Sequence, residues 1–247
     1  AMAERQLLLY FQPQLDLKTD RVVGAEALLR WKHPEYGMVS PAKFIPLAEE
    51  LGLIIPIGDW VLRTACRTAR AWCAGDSGFR RIAVNVAGPQ LTPQFVETVG
   101  RVLAETGLPP ACLELEVTES FIMGHAEGAI GLLHDLKALG VEIAIDDFGT
   151  GYSSLSYLKH LPIDKLKIDQ SFVRGIPNPD DEAIARAVIG LAKSLRLQVI
   201  AEGVETTVQR DFLKAEDCDE GQGYLYSKPI PGEEFEKLLK CNFEESG

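Results

Sequence analysis

Histidine is scarce in this 247-residue chain, with four in all and none in an HExxH pair, and its five cysteines include no CxxC spacing. That argues against the usual zinc frameworks, and an odd cysteine count with no paired pattern argues against a disulfide scaffold. A reducing, cytoplasmic compartment is the expectation. Basic residues are also in deficit. The formal net charge is −11, so the field of the whole molecule repels nucleic-acid polymers and anionic lipid, and any anionic substrate has to be met by local cations. Long apolar runs are missing too: the longest, LGLIIPIGDWVL at 51–62, is broken by Pro56 and Asp59 and falls well short of a bilayer span. No direct membrane contact is expected of this unit. No GxGxxG or GxxxxGK loop follows any candidate strand, which removes the common phosphate-cradling sheets.

What remains is an ordinary globular composition, 46% apolar and 25% charged, at a length typical of a single α/β barrel. A single domain over 5–241 is expected, with tails at 1–4 and 242–247; Ala1-Met2-Ala3 reads as a cloning remnant. Strands alternate with helices along the chain. LLLYFQPQLDL and VVGAEALLRW are separated by only four residues, too few for a parallel crossover, so the first pair is predicted antiparallel. Helices are predicted from Pro41, near Asp59, from Thr92-Pro93 to Gly107, at 126–140, at 180–195, at 206–215 and at 232–241. In the helix at 180–195 the stripe Ile184, Val188, Leu191, Ala192 and Leu195 is predicted to face the core. Strands are predicted at 81–86, 112–120, 141–147, 163–169, 198–205 and, as GQGYLYS, 221–227. His134-Asp135 sits on an amphipathic helix and reads as an exposed polar pair, not a metal site. The fold class is therefore α/β, a modified (β/α)8 TIM barrel with an antiparallel first strand.

The chain is organised around VEIAIDDFGTGY at 141–152, where an alternating apolar run ends in Asp146 and Asp147. Neighbours in an unbroken strand point to opposite faces, so both acids serve one site only if the strand stops there. Other strands end in the same fashion. Near their carboxyl ends stand Glu26, Asn85, Glu116, Lys167 and Glu202, each in an otherwise apolar segment. Taken singly these have ordinary explanations: Asn85 as a turn cap, Glu202 paired with Arg210, Lys167 neutralising a buried acid. Brought together at one barrel mouth, five carboxylates, an amide and one lysine are an expensive cluster unless cations join them. Oxygen donors without His or Cys point to Mg²⁺ or Mn²⁺, and a pair of ions bridged by an aspartate suits phosphoryl displacement. Arg30 offers a bidentate cation for a phosphodiester.

Glu26-Ala27-Leu28-Leu29-Arg30-Trp31 resembles the signature of the EAL family, the bacterial cyclic di-GMP phosphodiesterases. NVAGPQL at 85–91, LELEVTES at 113–120, DDFGTGYSSL at 146–155, IDKLKID at 163–169, AEGVE at 201–205 and QGYLYSKP at 222–229 follow in the family's order, from about Tyr10 to Pro231. Ala87-Gly88 and Ala215-Glu216-Asp217 depart from its usual pattern without touching a proposed ligand.

The resemblance implies hydrolysis of one phosphodiester of cyclic di-GMP to linear pGpG by a metal-activated water between two Mg²⁺ or Mn²⁺ ions, with Ca²⁺ binding and inhibiting. Glu26, Asn85, Glu116 and Asp146 resemble ligands of the first metal, and Asp146, Asp147 and Glu202 ligands of the second. Lys167 resembles the group that orients the water or meets phosphoryl charge. Arg30, Gln14, Gln222 and Glu205 look like substrate-side groups, and Glu119 like a support that anchors the loop at 148–155. The family implies a homodimer, tethered in many members to sensor or diguanylate cyclase modules. A catalytically weak cyclic di-GMP receptor acting through a partner is the alternative, and a barrel enzyme on another phosphodiester or sugar phosphate is a third reading.

Overall fold

The structure is a computed structural model, and it describes residues 6–75, 78–124, 126–150 and 158–244. Eight strands close a barrel: β1 (Leu7–Asp16), β2 (Arg21–His33), β4 (Arg81–Val86), β5 (Leu113–Thr118), β6 (Glu142–Phe148), β7 (Lys165–Ile168), β8 (Gln198–Ala201) and β9 (Glu220–Gly221). The short β3 (Gly37–Val39) pairs with β2 and β10 (Ile230–Pro231) with β1. β1 runs antiparallel to both its barrel neighbours, β2 and β9, while β2, β4, β5, β6, β7, β8 and β9 are parallel in sequence. The four-residue connection between β1 and β2 leaves no other geometry, as the sequence predicts.

The helices are α1 (Pro41–Glu50), α2 (Ile54–Cys73), α3 (Pro93–Thr106), α4 (Glu119–Gly124), α5 (Ala126–Ala138), α6 (Gln170–Arg174), α7 (Pro179–Ser194), α8 (Thr207–Ala215) and α9 (Gly232–Glu244). Each longer helix lays an apolar stripe on the barrel. α3 buries Phe95, Val99, Val102 and Leu103 and ends at Gly107, whose φ of 67° suits a residue without a Cβ. Burial of side chains this size stabilises by about 2 kcal/mol each. On α7 the stripe is rotated from the predicted one: Ala185, Val188, Ile189 and Ala192 are buried, while Ile184 is 38% exposed. Helix α2 starts at Ile54, a turn earlier than Asp59 suggests.

The last barrel strand is shorter than GQGYLYS suggests. Only Glu220 and Gly221 pair; the chain then turns, with Tyr226 N donating to Gly223 O at 3.1 Å. The turn lies hard against Val204, since a Cβ on Gly223 would sit 2.1 Å from the Val204 carbonyl oxygen. Glycine is the residue that permits this approach, and it fixes where Gln222 points. His134 and Asp135 are exposed on α5, and Cys66, Cys73, Cys112 and Cys218 are free thiols.

Candidate active site

At the mouth of the barrel, side chains from β2, β4, β5, β6 and β7 and from the residues just after β8 and β9 converge. Glu26 on β2 is buried, and both its oxygens are taken: Asn85 Nδ2 donates to Oε1 at 2.6 Å and Gln222 Nε2 to Oε2 at 2.5 Å. Beside it the Lys167 ammonium stands 2.8 Å from Glu116 Oε2, 3.1 Å from Asp146 Oδ1 and 2.7 Å from Glu202 Oε1. Four strands or their immediate extensions therefore meet on one cation. Glu202 pairs with this lysine, and Arg210 turns to Asp211.

The two adjacent aspartates are arranged differently from the sequence expectation. Strand β6 does not stop at them but runs one residue further, to Phe148, with a break in register against β7 between Ile145 and Phe148. Asp147 occupies the left-handed region, φ 55°, and its N–H donates to Asp146 Oδ1 at 3.0 Å. A bulge with one left-handed residue re-aims a side chain that regular pleating would send to the opposite face. Past it, Gly149 takes φ 97° and donates its N–H to Glu119 Oε2 at 2.9 Å. Glu119 thus anchors the start of the loop expected at 148–155; residues 151–157 lie outside the described residues.

The cluster holds more acid than cation, and its protonation follows. Burial pushes the Glu116 carboxyl well above the usual range; Lys167 opposes this, and Glu26 and Asp146 reinforce it. Burial likewise raises Glu202 to about 8 and, with Asp146 and Asp169 nearby, Asp147 to about 6. Burial works against the charge on Lys167, but Asp146, Glu116 and Glu202 outweigh it and hold the ammonium well above its ordinary value. The raised acids keep their protons more readily than free carboxyls do, and a nearby positive charge would favour their ionised forms.

Whether these residues suit a divalent metal is answered by their donor chemistry. Both Glu116 oxygens are buried without a hydrogen-bond donor beyond the Lys167 ion pair, and the surrounding donors are all oxygens. Hard cations such as Mg²⁺ and Mn²⁺ prefer such donors. Among the described residues no three His, Cys, Asp or Glu side chains stand in an arrangement that could hold an ion as they are placed; the acids are gathered on an ammonium instead.

Two hollows lie near the mouth, one lined by its acids and the other reaching it at Asn85. One, of about 240 Å³, is lined by Gln12, Glu26, Asp146, Glu202, Glu205 and Gln222 among others. The second, of about 270 Å³, lies between β2, α1 and α2 and includes Arg30, Asn85 and Glu49. Leu28 borders both. Arg30 donates to its neighbour's carbonyl, Leu29 O, at 2.9 Å and lies 5.8 Å over the Tyr10 ring, with burial lowering its pKa. Glu205 faces Arg174 at 3.6 Å.

Gln14, expected as a substrate contact, requires correction. It is fully buried, opposite Gly24 in register and two residues deeper than the mouth. The position opposite Glu26 belongs to Gln12, which receives a hydrogen bond from Gln222 Nε2 at 3.2 Å. β1 is antiparallel, so its later residues lie deeper, the reverse of every other barrel strand. The register of the first hairpin was the signal that identifies Gln12. Gln170, Arg174 and Tyr224, which also line the first hollow, lie on a short helix and a turn whose periodicity gives no indication of the mouth.

Comparison with known proteins agrees with this architecture. The EAL domain family matches residues 1–229. "Bifunctional diguanylate cyclase/cyclic di-GMP phosphodiesterase MucR" of Pseudomonas aeruginosa is 45% identical over 236 residues, 95% of this chain and 34% of MucR. "Cyclic di-GMP phosphodiesterase NbdA" of the same organism is 46% identical over 243 residues, 98% of this chain and 31% of NbdA. The chain thus spans about a third of the length of these curated relatives. Among solved structures, "PaMucR Phosphodiesterase, c-di-GMP complex" superimposes with a TM-score of 0.92 at 45% identity, covering 95% of this chain and 96% of that one. "Structure of EAL Enzyme Bd1971 - cGMP bound form" gives 0.91 at 37% identity, covering 97% and 67%. With its matched segments in order, its barrel shared and its identity to these relatives this high, the chain belongs to the EAL domain family.

Proposed function

We propose that this chain is a metal-dependent cyclic di-GMP phosphodiesterase that cleaves one phosphodiester to give linear pGpG. The observation that carries this reading is the convergence of Glu116, Asp146 and Glu202 on Lys167 beside a Glu26 clamped by Asn85 and Gln222. Support also comes from charge: Glu26, Glu116, Asp146, Asp147 and Glu202 against Lys167 leave a formal surplus of four negative charges, which two divalent cations neutralise.

Glu26, Asn85, Glu116 and Asp146 would hold one Mg²⁺ or Mn²⁺, and Asp146, Asp147 and Glu202 a second. When bound, such ions supply a water of lowered pKa and charge to match the phosphoryl oxygens. The residues of the chain do the rest. Asn85 and Gln222 hold the Glu26 carboxylate in one orientation, Lys167 offers a positive charge to the developing phosphoryl oxyanion, and Glu119 ties the turn after Asp147. The hollows on either side of the Glu26–Asn85 edge suit a ligand with two nucleoside lobes. Arg30 borders one, and Gln12, Gln222 and Glu205 border the other.

A cytoplasmic reaction, a homodimer and a tether to sensor or diguanylate cyclase modules belong to the same proposal. The tether is supported by the chain's span, a third of MucR, whose name joins two activities; the free thiols among the described cysteines fit a reducing compartment, and the homodimer is carried by the family resemblance alone.

The test is to incubate the purified chain with cyclic di-GMP and Mg²⁺, Mn²⁺ or Ca²⁺ and resolve the nucleotides. Formation of pGpG with Mg²⁺ or Mn²⁺ and its suppression by Ca²⁺ is expected. Tight binding without product in Mg²⁺ or Mn²⁺ identifies a receptor instead, and inert cyclic di-GMP within an active substrate panel identifies a different phosphoester.

A further inference from the structure

Directly beneath the mouth lies a second polar layer. Arg81, Glu114, Lys165 and Glu220 are each at most 5% exposed. Lys165 Nζ lies 2.6 Å from Glu114 Oε2 and 3.1 Å from Glu220 Oε2; Arg81 Nε lies 3.3 Å from Glu114 Oε2, and its Nη2 pairs with Glu220. Two cations and two anions form a closed, neutral square. Strand periodicity places these residues under the site: Glu114 is two residues before Glu116 on β5, Lys165 two before Lys167 on β7, and Glu220 two before Gln222.

Resting on the phosphodiesterase reading, we propose that Lys165 and Arg81 are positioning residues that occupy Glu114 and Glu220 and so leave the Lys167 ammonium to the mouth. Lys167 chooses between carboxylates above it, on Asp146 and Glu202, and a fully buried carboxylate one layer below, on Glu114. In a water-poor interior an uncompensated anion attracts any cation within reach, and breaking one partner of a buried pair leaves such an anion behind. With Lys165 and Arg81 in place Glu114 is fully engaged, and Lys167 stays between Glu116, Asp146 and Glu202. Removing Lys165 makes the square net negative and draws the Lys167 ammonium inward. Removing Lys165 together with Glu114 makes the square neutral again and restores its place.

The experiment compares Lys165→Met with Lys165→Met/Glu114→Gln, and Arg81→Met with Arg81→Met/Glu220→Gln, by kcat and KM at saturating metal and by crystal structure. Each single variant is expected to lose about 100-fold in kcat with little change in KM, the size associated with a displaced proton-transfer or charge-stabilising group. Each double variant is expected to recover most of that loss, with Lys167 again within ion-pair distance of Asp146 and Glu202. A purely structural square lowers thermal stability in the single variants and leaves kcat of the folded protein and the place of Lys167 unchanged; that result overturns the proposal, as does a folded double variant that stays inactive. If neither single variant folds, Lys165→Gln, which removes the same charge but keeps a polar group, replaces them in the same two measurements. If the unaltered chain leaves cyclic di-GMP intact, the phosphodiesterase reading fails by itself, and the crystallographic position of Lys167 still decides the role of the square.

Discussion

Gln222 Nε2 donates to Glu26 Oε2 at 2.5 Å, so the turn after the shortest barrel strand holds a carboxylate from the second strand in place. Glu26 owes its orientation to this bond and to Asn85 on its other oxygen. Gln222→Ala leaves Oε2 free to rotate. We expect a loss of about tenfold or more in apparent Mg²⁺ affinity, the range seen when a group supporting a metal ligand is removed. Titrating the rate against Mg²⁺ for both proteins checks this; superimposable curves would count against it.

Lys167 sits between three carboxylates and is 1% exposed. Lys167→Met keeps the bulk of the side chain and removes its charge. The turnover number is expected to fall by about 100-fold or more, and the metal-free protein to melt at a lower temperature because buried acids lose their counter-ion. Steady-state kinetics at saturating metal, with a melting curve on the same sample, separate the two effects.

Most of the barrel was legible from residues alone, and the reasons are local. Alternating apolar runs and the four-residue link between β1 and β2 fix the strands and the one reversed direction, and the Thr92-Pro93 start and Gly107 stop bracket α3. The acids of the mouth were legible because each interrupts an apolar strand. That Gln12 and not Gln14 stands beside Glu26 is not legible in the sequence, because depth along β1 runs backwards, a fact of register between strands. The arrangement of Asp146 and Asp147 depends on a bulge and a left-handed residue, which no period reveals. The square of Arg81, Glu114, Lys165 and Glu220 joins four strands, and only the closed barrel brings them together.

Gly223 abuts the Val204 backbone, where an added Cβ would meet N, C and O atoms at 2.1–2.6 Å. Backbone atoms cannot step aside as a flexible side chain does. Gly223→Ala is expected to destabilise by about 3 kcal/mol and to misplace Gln222. Chemical denaturation gives the first number, and a weakened Mg²⁺ dependence in the fraction that remains folded gives the second. An unchanged midpoint and an unchanged Mg²⁺ curve would show that the turn relaxes freely.

Glu142, half-buried at the start of β6, has its pKa raised above the usual 4.5 by burial first and by Glu114 next. A carboxyl whose folded pKa exceeds its unfolded one binds its proton more tightly in the folded state. Its unfavourable contribution is therefore absent below the unfolded pKa and grows as pH rises through the folded pKa. Glu142→Gln is expected to raise the melting temperature near pH 7 and to leave it close to the parent's near pH 4. A gain of equal size at both values would assign the effect to packing.

The most direct test is the rate at which the purified chain converts cyclic di-GMP to pGpG in Mg²⁺, measured beside Glu26→Ala under identical conditions. The parent is expected to turn over and the variant to lose at least about 100-fold, because the carboxylate clamped by Asn85 and Gln222 is removed from the site. A Glu26→Ala protein as fast as its parent would contradict the assignment of this barrel mouth as the place of hydrolysis.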